Sequence, residues 1–460
     1  MKKLLVFLLT ILAVQLVAES MRLNRFDKVS PPRRHPYTSL LREESSPAEL
    51  QQRRAGDGSD RLLVILVDFQ EETPDNPQTT GNGKFFLEDD PDYMFSIGRP
   101  PHDREYFLAN MEALRYYYLA ASAGTLDLQY DVYPQDGSFY TLPQPMAYYN
   151  PPGASSELFV SRVEEYFQSS FEIADSRSPE INFGAYNHYM IIHAGSDWQH
   201  DVLGDSPSDL PSFFIHVSED KAVKVDSGAH KIYYACNVPS TISQDFSTYD
   251  SGGLTVRSGY GALNSVIAHE FGHSLGLVDL YNVRTFQPMV GVFDIMDSGG
   301  SGTMVTGPLD DGSWVAVEGI LPALPGAFSR ALLFEDEFRR IGLMKDSNEY
   351  QLDNDLNIAA SSRKNTDGKP IVQIIKVPLS ETEYVLLENR SIDPDGDGIP
   401  AVITDLDGRV VLYPSPDGDP SETPSYEYDY FLPSFLKSDN SSIGGGILAW
   451  RVNEDILYNQ

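Results

Sequence analysis

The chain has 460 residues, of which 41% are hydrophobic, and a formal net charge of −33. This length and composition indicate a globular protein with a sizeable core and more than one domain. The strong acidity argues against nucleic acid or an anionic membrane surface as a partner, and it favours solubility and divalent cations. The single cysteine, Cys236, excludes an internal disulfide, so stability must come from the core and from bound ions.

Residues 1–20 have the three parts of a secretory signal peptide. Two lysines are followed by the apolar run Leu4 to Val17 and then by small residues at Ala18 and Ser20. The apolar run is shorter than the roughly 20 residues needed to cross a bilayer. The sequence therefore predicts a secreted protein of bacterial type, with no membrane anchor in the mature chain.

Residues 21–60 are basic and contain several prolines, with little apolar periodicity. We interpret them as a basic pro-segment or linker that lies over an acidic cleft, with processing near Arg53 and Arg54. A disordered leader is the alternative, because the composition is also typical of disorder. The segment contains no cysteine, so a cysteine cannot be the group that keeps the protein latent.

Regular structure is expected from about residue 61. Leu62 to Phe69 is a continuous apolar run, which predicts a buried strand. Apolar residues at helical spacing predict helices around Phe107 to Tyr118 and around Phe159 to Phe171. Shorter strand-like runs are Leu126 to Tyr133, Tyr189 to His193, Phe213 to Val217 and Lys231 to Ala235. Strands backed by helices therefore precede the most informative motif of the chain.

That motif is His269-Glu270-x-x-His273, followed by Gly276 and Asp279. Residues four apart lie on one face of a helix, so the two histidines can bind one metal ion while Glu270 lies beside it. Glycine readily ends a helix, and the reversed chain can then bring Asp279 to the same metal. Three protein ligands and one open position are typical of a catalytic zinc site.

A methionine follows in the segment Phe293 to Asp297, just before a glycine-rich stretch. Met296 is expected to form an apolar floor beneath the zinc, as in the Met-turn of metzincins. A gluzincin-like site, in which Glu318 replaces Asp279 as third ligand, is the alternative. Most other histidines, including His188, His193 and His216, are interpreted as ordinary core or surface residues.

The chain resembles the immune inhibitor A family of secreted metallopeptidases, which are related to the metzincins. The segments HEFGHSLGLVDLYN and FDIMDSGG carry the resemblance, and similar stretches extend over about four fifths of the chain. These stretches are Leu62 to Phe69, Ser122 to Pro134, Tyr140 to Tyr149, His188 to Gly195, Tyr384 to Arg390 and Gly444 to Glu454.

The resemblance implies an α+β fold of metzincin type over residues 61–343. Such a domain has an upper α/β subdomain, the active-site helix, and a lower subdomain with the Met-turn. Residues 344–460 are expected to form a β-rich C-terminal region, because short strand-like runs alternate there with Asp, Gly, Ser and Pro. Family members usually continue beyond the strand near the end of this chain, which raises the expectation of a truncated C-terminal region.

A calcium loop is predicted in the C-terminal region. Asp393, Asp395 and Asp397 alternate before Gly398, as in the first half of an EF-hand loop. The twelfth position is Thr404 where that loop has glutamate. An Asp/Gly-rich surface turn is the alternative, because turns use the same residues.

The sequence therefore predicts a secreted, monomeric zinc endopeptidase that is made as a zymogen and acts on protein or peptide substrates. Zinc would activate a water, and Glu270 would be the general base. Two other functions stay open at this point. One is a non-catalytic, calcium-stabilised adhesin or binding protein with a vestigial zinc site, and the other is hydrolysis of a non-peptide amide.

Overall fold

A computed structural model describes the fold of this chain. The residues that it describes are 34–41, 60–88, 98–201, 204–250, 253–301, 304–306, 315–317, 319–350, 358–361, 371–392, 402–405, 410–414, 427–429, 432, 435–436 and 442–457. Among them, no helix is long and apolar enough to cross a membrane.

The described α-helices are α1 (Arg104–Ala121), α2 (Met146–Tyr149), α3 (Ser156–Arg177), α4 (Asn264–Leu275), α5 (Ala327–Arg340) and α6 (Glu454–Leu457). The strands of the first half are β1 (Arg61–Asp68), β2 (Gln129–Tyr133), β3 (Tyr140–Thr141), β4 (His188–His193), β5 (Phe213–His216), β6 (Val223–Val225), β7 (His230–Ile232), β8 (Tyr234–Pro239), β9 (Ile242–Asp250) and β10 (Gly253–Gly261). The later strands are β11 (Met304–Thr306), β12 (Val315–Val317), β13 (Met344–Asp346), β14 (Ile374–Pro378), β15 (Glu383–Ser391), β16 (Val402–Asp405), β17 (Val410–Pro414), β18 (Phe435–Leu436), β19 (Ser442–Ile443) and β20 (Gly445–Asn453).

A six-stranded sheet organises the first half of the chain. Its order is β2-β1-β4-β8-β5, and β3 also pairs with β1. The pairings are parallel except that of β5 with β8, so β5 is an antiparallel edge strand. Strand β1 lies inside this sheet, and its residues from Leu62 to Val67 have no exposed surface. Its continuous apolar run is therefore explained by burial on both faces.

The two long helices predicted from apolar spacing are present as α1 and α3. Each begins at a side-chain cap, since Asp103 accepts a hydrogen bond from the Tyr106 amide and Ser155 from the Leu158 amide. Phe107 on α1 and Phe167 on α3 are completely buried. The predicted strand Lys231 to Ala235 is divided in two, because β7 pairs with β6 whereas β8 joins the main sheet.

Residues after α5 form a largely β-structured region, as predicted. Strands β13, β14, β15 and β20 make a four-stranded sheet, against which α5 packs. The main hydrophobic core nevertheless runs through both parts of the chain, from Leu62 to Val452. The fold is therefore a mixed α/β structure with a β-rich C-terminal region, and the two parts share one core.

Candidate active site

Helix α4 carries the predicted motif and ends where glycine was expected. Ile267, Phe271 and Leu275 recur at helical spacing and are buried, which fixes this face of the helix in the core. Gly276 follows with φ of 107°, a left-handed conformation that is unfavourable for other residues. Its amide and that of Leu277 bond back to carbonyls of the last turn, so the chain reverses here.

This reversal brings Asp279 to the two histidines. The Oδ1 atom of Asp279 lies 3.3 Å from Nε2 of His269 and 3.3 Å from Nε2 of His273. Possible ligand atoms of the three side chains all lie within 4.8 Å of one another. His273 is buried and the other two are partly buried. These three groups could therefore hold one metal ion between them.

The ring orientation of both histidines is fixed by backbone carbonyls. Nδ1 of His269 lies 2.8 Å from the Ile295 carbonyl oxygen, and Nδ1 of His273 lies 2.9 Å from that of Leu277. A carbonyl can only accept, so each Nδ1 must carry the proton and donate it. In a neutral ring the lone pair is then on Nε2, which is the atom that lies 3.3 Å from Asp279. Such outer hydrogen bonds are typical of histidines that bind a metal.

Charge and spacing both fit a zinc ion. Burial lowers the pKa of His269, but its hydrogen bond to Asp279 and the charges of Glu270 and Asp279 outweigh this, so the pKa lies above the ordinary value. The site therefore attracts positive charge. Zinc bonds of about 2.0–2.1 Å in a tetrahedron place neighbouring ligand atoms about 3.3 Å apart. The two distances to Asp279 match this spacing.

Glu270 lies one residue from the first histidine and lines the same cavity. Only 5% of its surface is exposed. The Cys236 thiol donates to its main-chain carbonyl at 3.1 Å, which ties this turn of α4 to strand β8. The sole cysteine is thus a buried packing residue, and the Glu270 carboxyl belongs to the cavity.

Met296 lies directly under the helix. A Cβ atom added at Gly272 would come within 2.9 Å of Met296 Sδ and within 2.9 Å of the Tyr118 hydroxyl. Glycine is therefore required for this close approach. Met296 is completely buried, and the preceding carbonyl, that of Ile295, holds His269. The segment therefore packs an apolar side chain against α4 and places a hydrogen-bond acceptor beside His269.

The turn around Met296 is itself held by Asp294. This buried carboxyl accepts hydrogen bonds from the amides of Met296 and Gly326 and from the Ser329 hydroxyl, at 2.7–2.9 Å. Burial raises the pKa of Asp294 to about 6, although these hydrogen bonds favour the charged form. The start of α5 therefore helps to position the segment under the site.

An open cavity of about 470 Å³ lies in front of the cluster, and part of the predicted pro-segment occupies its wall. Arg34 and His35 line the cavity together with His269 and Glu270. The Arg34 guanidinium lies 3.5 Å from the centre of the Tyr281 ring. It also donates to the Asp297 carbonyl at 3.1 Å.

Other predicted residues lie outside the described part of the chain. These are the signal peptide, Arg53 and Arg54, Glu318, and the aspartates Asp393, Asp395 and Asp397. The strand β12 ends one residue before Glu318, and Thr404 lies within β16. The comparison of Asp279 with Glu318 as third ligand therefore stays a prediction.

The sequence did not single out His200 and Asp197 as functional residues. His200 lines the cavity, and the buried Asp197 binds it. Their spacing of three residues was the one local signal, and it is common in ordinary turns. Tyr281 also lines the cavity. It follows Asp279 closely enough to be a candidate for polarising a substrate carbonyl, but the chain has 26 tyrosines and the position alone is a weak signal.

Comparison with known proteins agrees with this geometry. A family model described as immune inhibitor A peptidase M6, catalytic domain, matches residues 49–313, more than half of the chain. Two proteins named pre-pro-metalloprotease PrtV, from Vibrio cholerae serotype O1 strains M66-2 and El Tor Inaba N16961, are each 27% identical over 278 residues. The alignment covers 52% of this chain and 27% of each relative, so the chain spans about a quarter of their length. The matched range contains α4 and the cluster of His269, His273 and Asp279, and the chain belongs to the immune inhibitor A peptidase M6 family.

Proposed function

We propose that this chain is a secreted zinc-dependent endopeptidase that hydrolyses protein substrates. The observation that carries the proposal is the cluster of His269, His273 and Asp279, with both Nδ1 atoms bonded to carbonyls and Glu270 in the adjoining cavity. Two neutral imidazoles and one carboxylate are a typical catalytic donor set for zinc. Membership in a peptidase family supports the same reaction.

Glu270 is the general base in this mechanism. When bound by the three ligands, zinc would polarise the substrate carbonyl and make a water more acidic. The Glu270 carboxylate takes a proton from the attacking water and delivers it to the leaving amine. Asp279 holds negative charge between the two imidazoles, while the carbonyls of Ile295 and Leu277 keep both rings oriented. Attack by water needs no covalent intermediate with the protein.

The segment around Met296 acts as a Met-turn in this proposal. Its buried thioether lies against Gly272, and the Ile295 carbonyl beside it holds His269. Together with the chain reversal at Gly276, these contacts favour a metzincin-like arrangement with Asp279 as third ligand. The region after the reversal would then form the lower side of the substrate cleft.

The decisive experiment compares purified wild type with Glu270→Ala. The variant should keep about one zinc per chain and lose about 10²–10⁴-fold in turnover of an unstructured protein substrate. Glu219→Ala removes a solvent-exposed glutamate that lies outside the cavity, and serves as the matched control. A fully active Glu270→Ala variant would refute the assigned base. Wild type without bound zinc or without hydrolysis would refute the proposed function.

Residues 21–60 act as a pro-segment in the same proposal. Residues 34–41 support this, because they lie against the cavity that substrate must enter. His35 stacks on Phe159 with 4.4 Å between ring centres, and Leu41 is buried. The basic Arg34 contacts Tyr281 beside the predicted ligand Asp279. The relatives' name, pre-pro-metalloprotease, agrees with export followed by removal of a pro-segment.

Weakening the contact between Arg34 and Tyr281 should make the unprocessed protein more active. Arg34→Ala removes a cation–π contact and a hydrogen bond, which together contribute about 1–3 kcal/mol to docking. Basal hydrolysis by unprocessed chains should rise about tenfold, while the processed enzyme should be unchanged. Arg284→Ala, an exposed arginine on the loop after Tyr281, is the control. Equal basal activity in both variants would show that Arg34 does not keep the unprocessed protein inactive.

Calcium at Asp393, Asp395 and Asp397 is a further part of the proposal. The alternating carboxylates before Gly398 support it, and so does the strongly acidic composition. Because these carboxylates would repel one another without a cation, calcium would stabilise the C-terminal region. The mature protein would then be a secreted monomer that holds zinc for chemistry and calcium for stability.

A further inference from the structure

The histidine of a buried Asp–His pair lines the same cavity as the proposed general base. His200 follows strand β4 and lines the cavity with His269 and Glu270. Its Nδ1 atom lies 2.5 Å from Oδ1 of Asp197, a residue with no exposed surface. Burying a carboxylate is costly unless it is well paired, so this arrangement is not an ordinary surface contact.

The loop that carries this pair is firmly held. The second carboxylate oxygen of Asp197 accepts from the Ser212 hydroxyl at 2.5 Å. Gln199 bonds twice to Ser212, since its side-chain amide donates to the carbonyl at 2.6 Å and its side-chain oxygen accepts from the amide at 2.9 Å. Ser212 directly precedes the edge strand β5. The imidazole of His200 is therefore fixed relative to the sheet that flanks the cavity.

The electrostatics favour a hydrogen-bond donor at this position. Burial by itself raises the pKa of Asp197, but the charge of His200 and hydrogen bonds from His200 and Ser212 outweigh this and hold the pKa below its ordinary value. The carboxylate is thus ionised, and a negative charge beside Nδ1 favours a proton on Nε2 as well. The other titratable groups around the cavity are Arg34, His35, His269, Glu270, Tyr281 and Asp297.

The N-terminal segment covers this part of the cavity. His35 packs edge-on against Trp198, with 4.8 Å between ring centres, and both His35 and His200 line the cavity wall. Only 6% of the His200 surface is exposed while residues 34–41 are in place. Removal of the pro-segment would therefore open the region beside His200 to a substrate.

We propose that His200 is a further catalytic residue, whose Nε2–H donates a hydrogen bond to the scissile carbonyl oxygen as negative charge develops on it. Asp197 is the positioning residue that orients the ring. This inference rests on the proposed peptidase function. A fixed donor that is aimed at developing charge acts mainly in the transition state, and removal of one such donor typically lowers kcat by about 10²–10³-fold.

The test uses His200→Gln in the full chain, purified as secreted and processed. Gln cannot donate a charged hydrogen bond, so kcat should fall about 10²-fold while KM and the zinc content change little. His216→Gln is the matched control, because His216 lies on β5 and does not line the cavity. A second readout is the affinity for a phosphinic peptide, which mimics the tetrahedral charge and should also weaken more than tenfold.

Asp197→Asn separates positioning from packing. The amide keeps the shape of the carboxylate but lacks its charge, so the pH above which activity is lost should move to lower pH while the melting curve stays nearly unchanged. If His200→Gln retains full kcat and full phosphinic peptide affinity in an active wild-type background, the inference is wrong. The inference is also overturned by a second pair of results. In that case His200→Gln loses zinc or does not fold, while Asp197→Asn has normal kinetics. An inactive wild type would instead contradict the proposed function itself.

Discussion

A buried ion pair of the β-rich C-terminal region includes an arginine that also bonds to the loop beneath the candidate site, and its removal gives the sharpest stability prediction. The Arg390 side chain is 2% exposed and forms a two-pronged contact with Asp429, in which Nε lies 2.6 Å from Oδ2. It also donates to the carbonyls of Phe293 at 2.8 Å and Leu324 at 3.0 Å. Although burial opposes the charge of Arg390, the carboxylates of Asp429 and Glu388 hold its pKa above the ordinary value.

The variant Arg390→Met should be strongly destabilised. It leaves the Asp429 carboxylate buried without its cation and leaves the carbonyls of Phe293 and Leu324 without this donor. Breaking one side of a buried pair in this way typically costs about 3–5 kcal/mol. Arg451→Met is the matched control on strand β20. Its side chain is 69% exposed and lies 3.4 Å from Glu383, so its loss should cost about 0–1 kcal/mol.

Urea unfolding followed by tryptophan fluorescence measures both variants. Trp450 donates to Glu388 at 2.7 Å and so reports on this cluster. The midpoint should shift to lower urea at nearly unchanged slope for Arg390→Met, and hardly at all for Arg451→Met. The Asp429→Leu change added to Arg390→Met should recover part of the loss, because the Asp429 charge is then no longer buried without its cation. Equal midpoints for the two single variants would refute the reasoning.

Three further outcomes are expected. Asp279→Ala should lose zinc on mild dialysis, because only two imidazoles would remain to bind it, whereas Glu318→Ala should keep its zinc. If metal analysis showed the reverse, Glu318 would be the third ligand. Calcium should raise the melting temperature of wild type, and the double variant Asp395→Ala, Asp397→Ala should abolish this rise. An unchanged rise in the double variant would show that the loop containing these aspartates is an ordinary turn. Met296→Leu roughly conserves volume, so it should cost less than about 1.5 kcal/mol and retain hydrolysis; loss of zinc in this variant would show that the thioether does more than pack.

Much of the local structure followed from the sequence because it depends on short-range spacing. The continuous apolar run at Leu62 to Phe69 predicted the central strand β1, and apolar residues at helical spacing predicted α1 and α3. The division between β7 and β8 was not predicted, since both have the same strand-like character. Only pairing partners distant in the chain separate them.

The ligand cluster was predictable for the same reason. His269 and His273 are one helical turn apart, and Gly276 reverses the chain within a few residues, so Asp279 reaches them through local geometry alone. The groups that hold these side chains in position come from elsewhere in the chain. The Ile295 carbonyl that fixes His269 is 26 residues away, and Ser212, which holds Asp197, is 15 residues from it.

The sequence by itself therefore determined the His-Glu-x-x-His motif, its helix, the reversal that brings Asp279 to the two histidines, and the strand and helix pattern around them. Tertiary structure decided which carbonyls orient the two histidines, that His200 reaches the same cavity while Asp197 holds it, and that Arg390 ties the C-terminal sheet to the loop under the site. The physical reason is that helix periodicity and turn conformation act over a few residues. Buried hydrogen bonds and ion pairs instead form wherever packing brings distant polar groups together and excludes water.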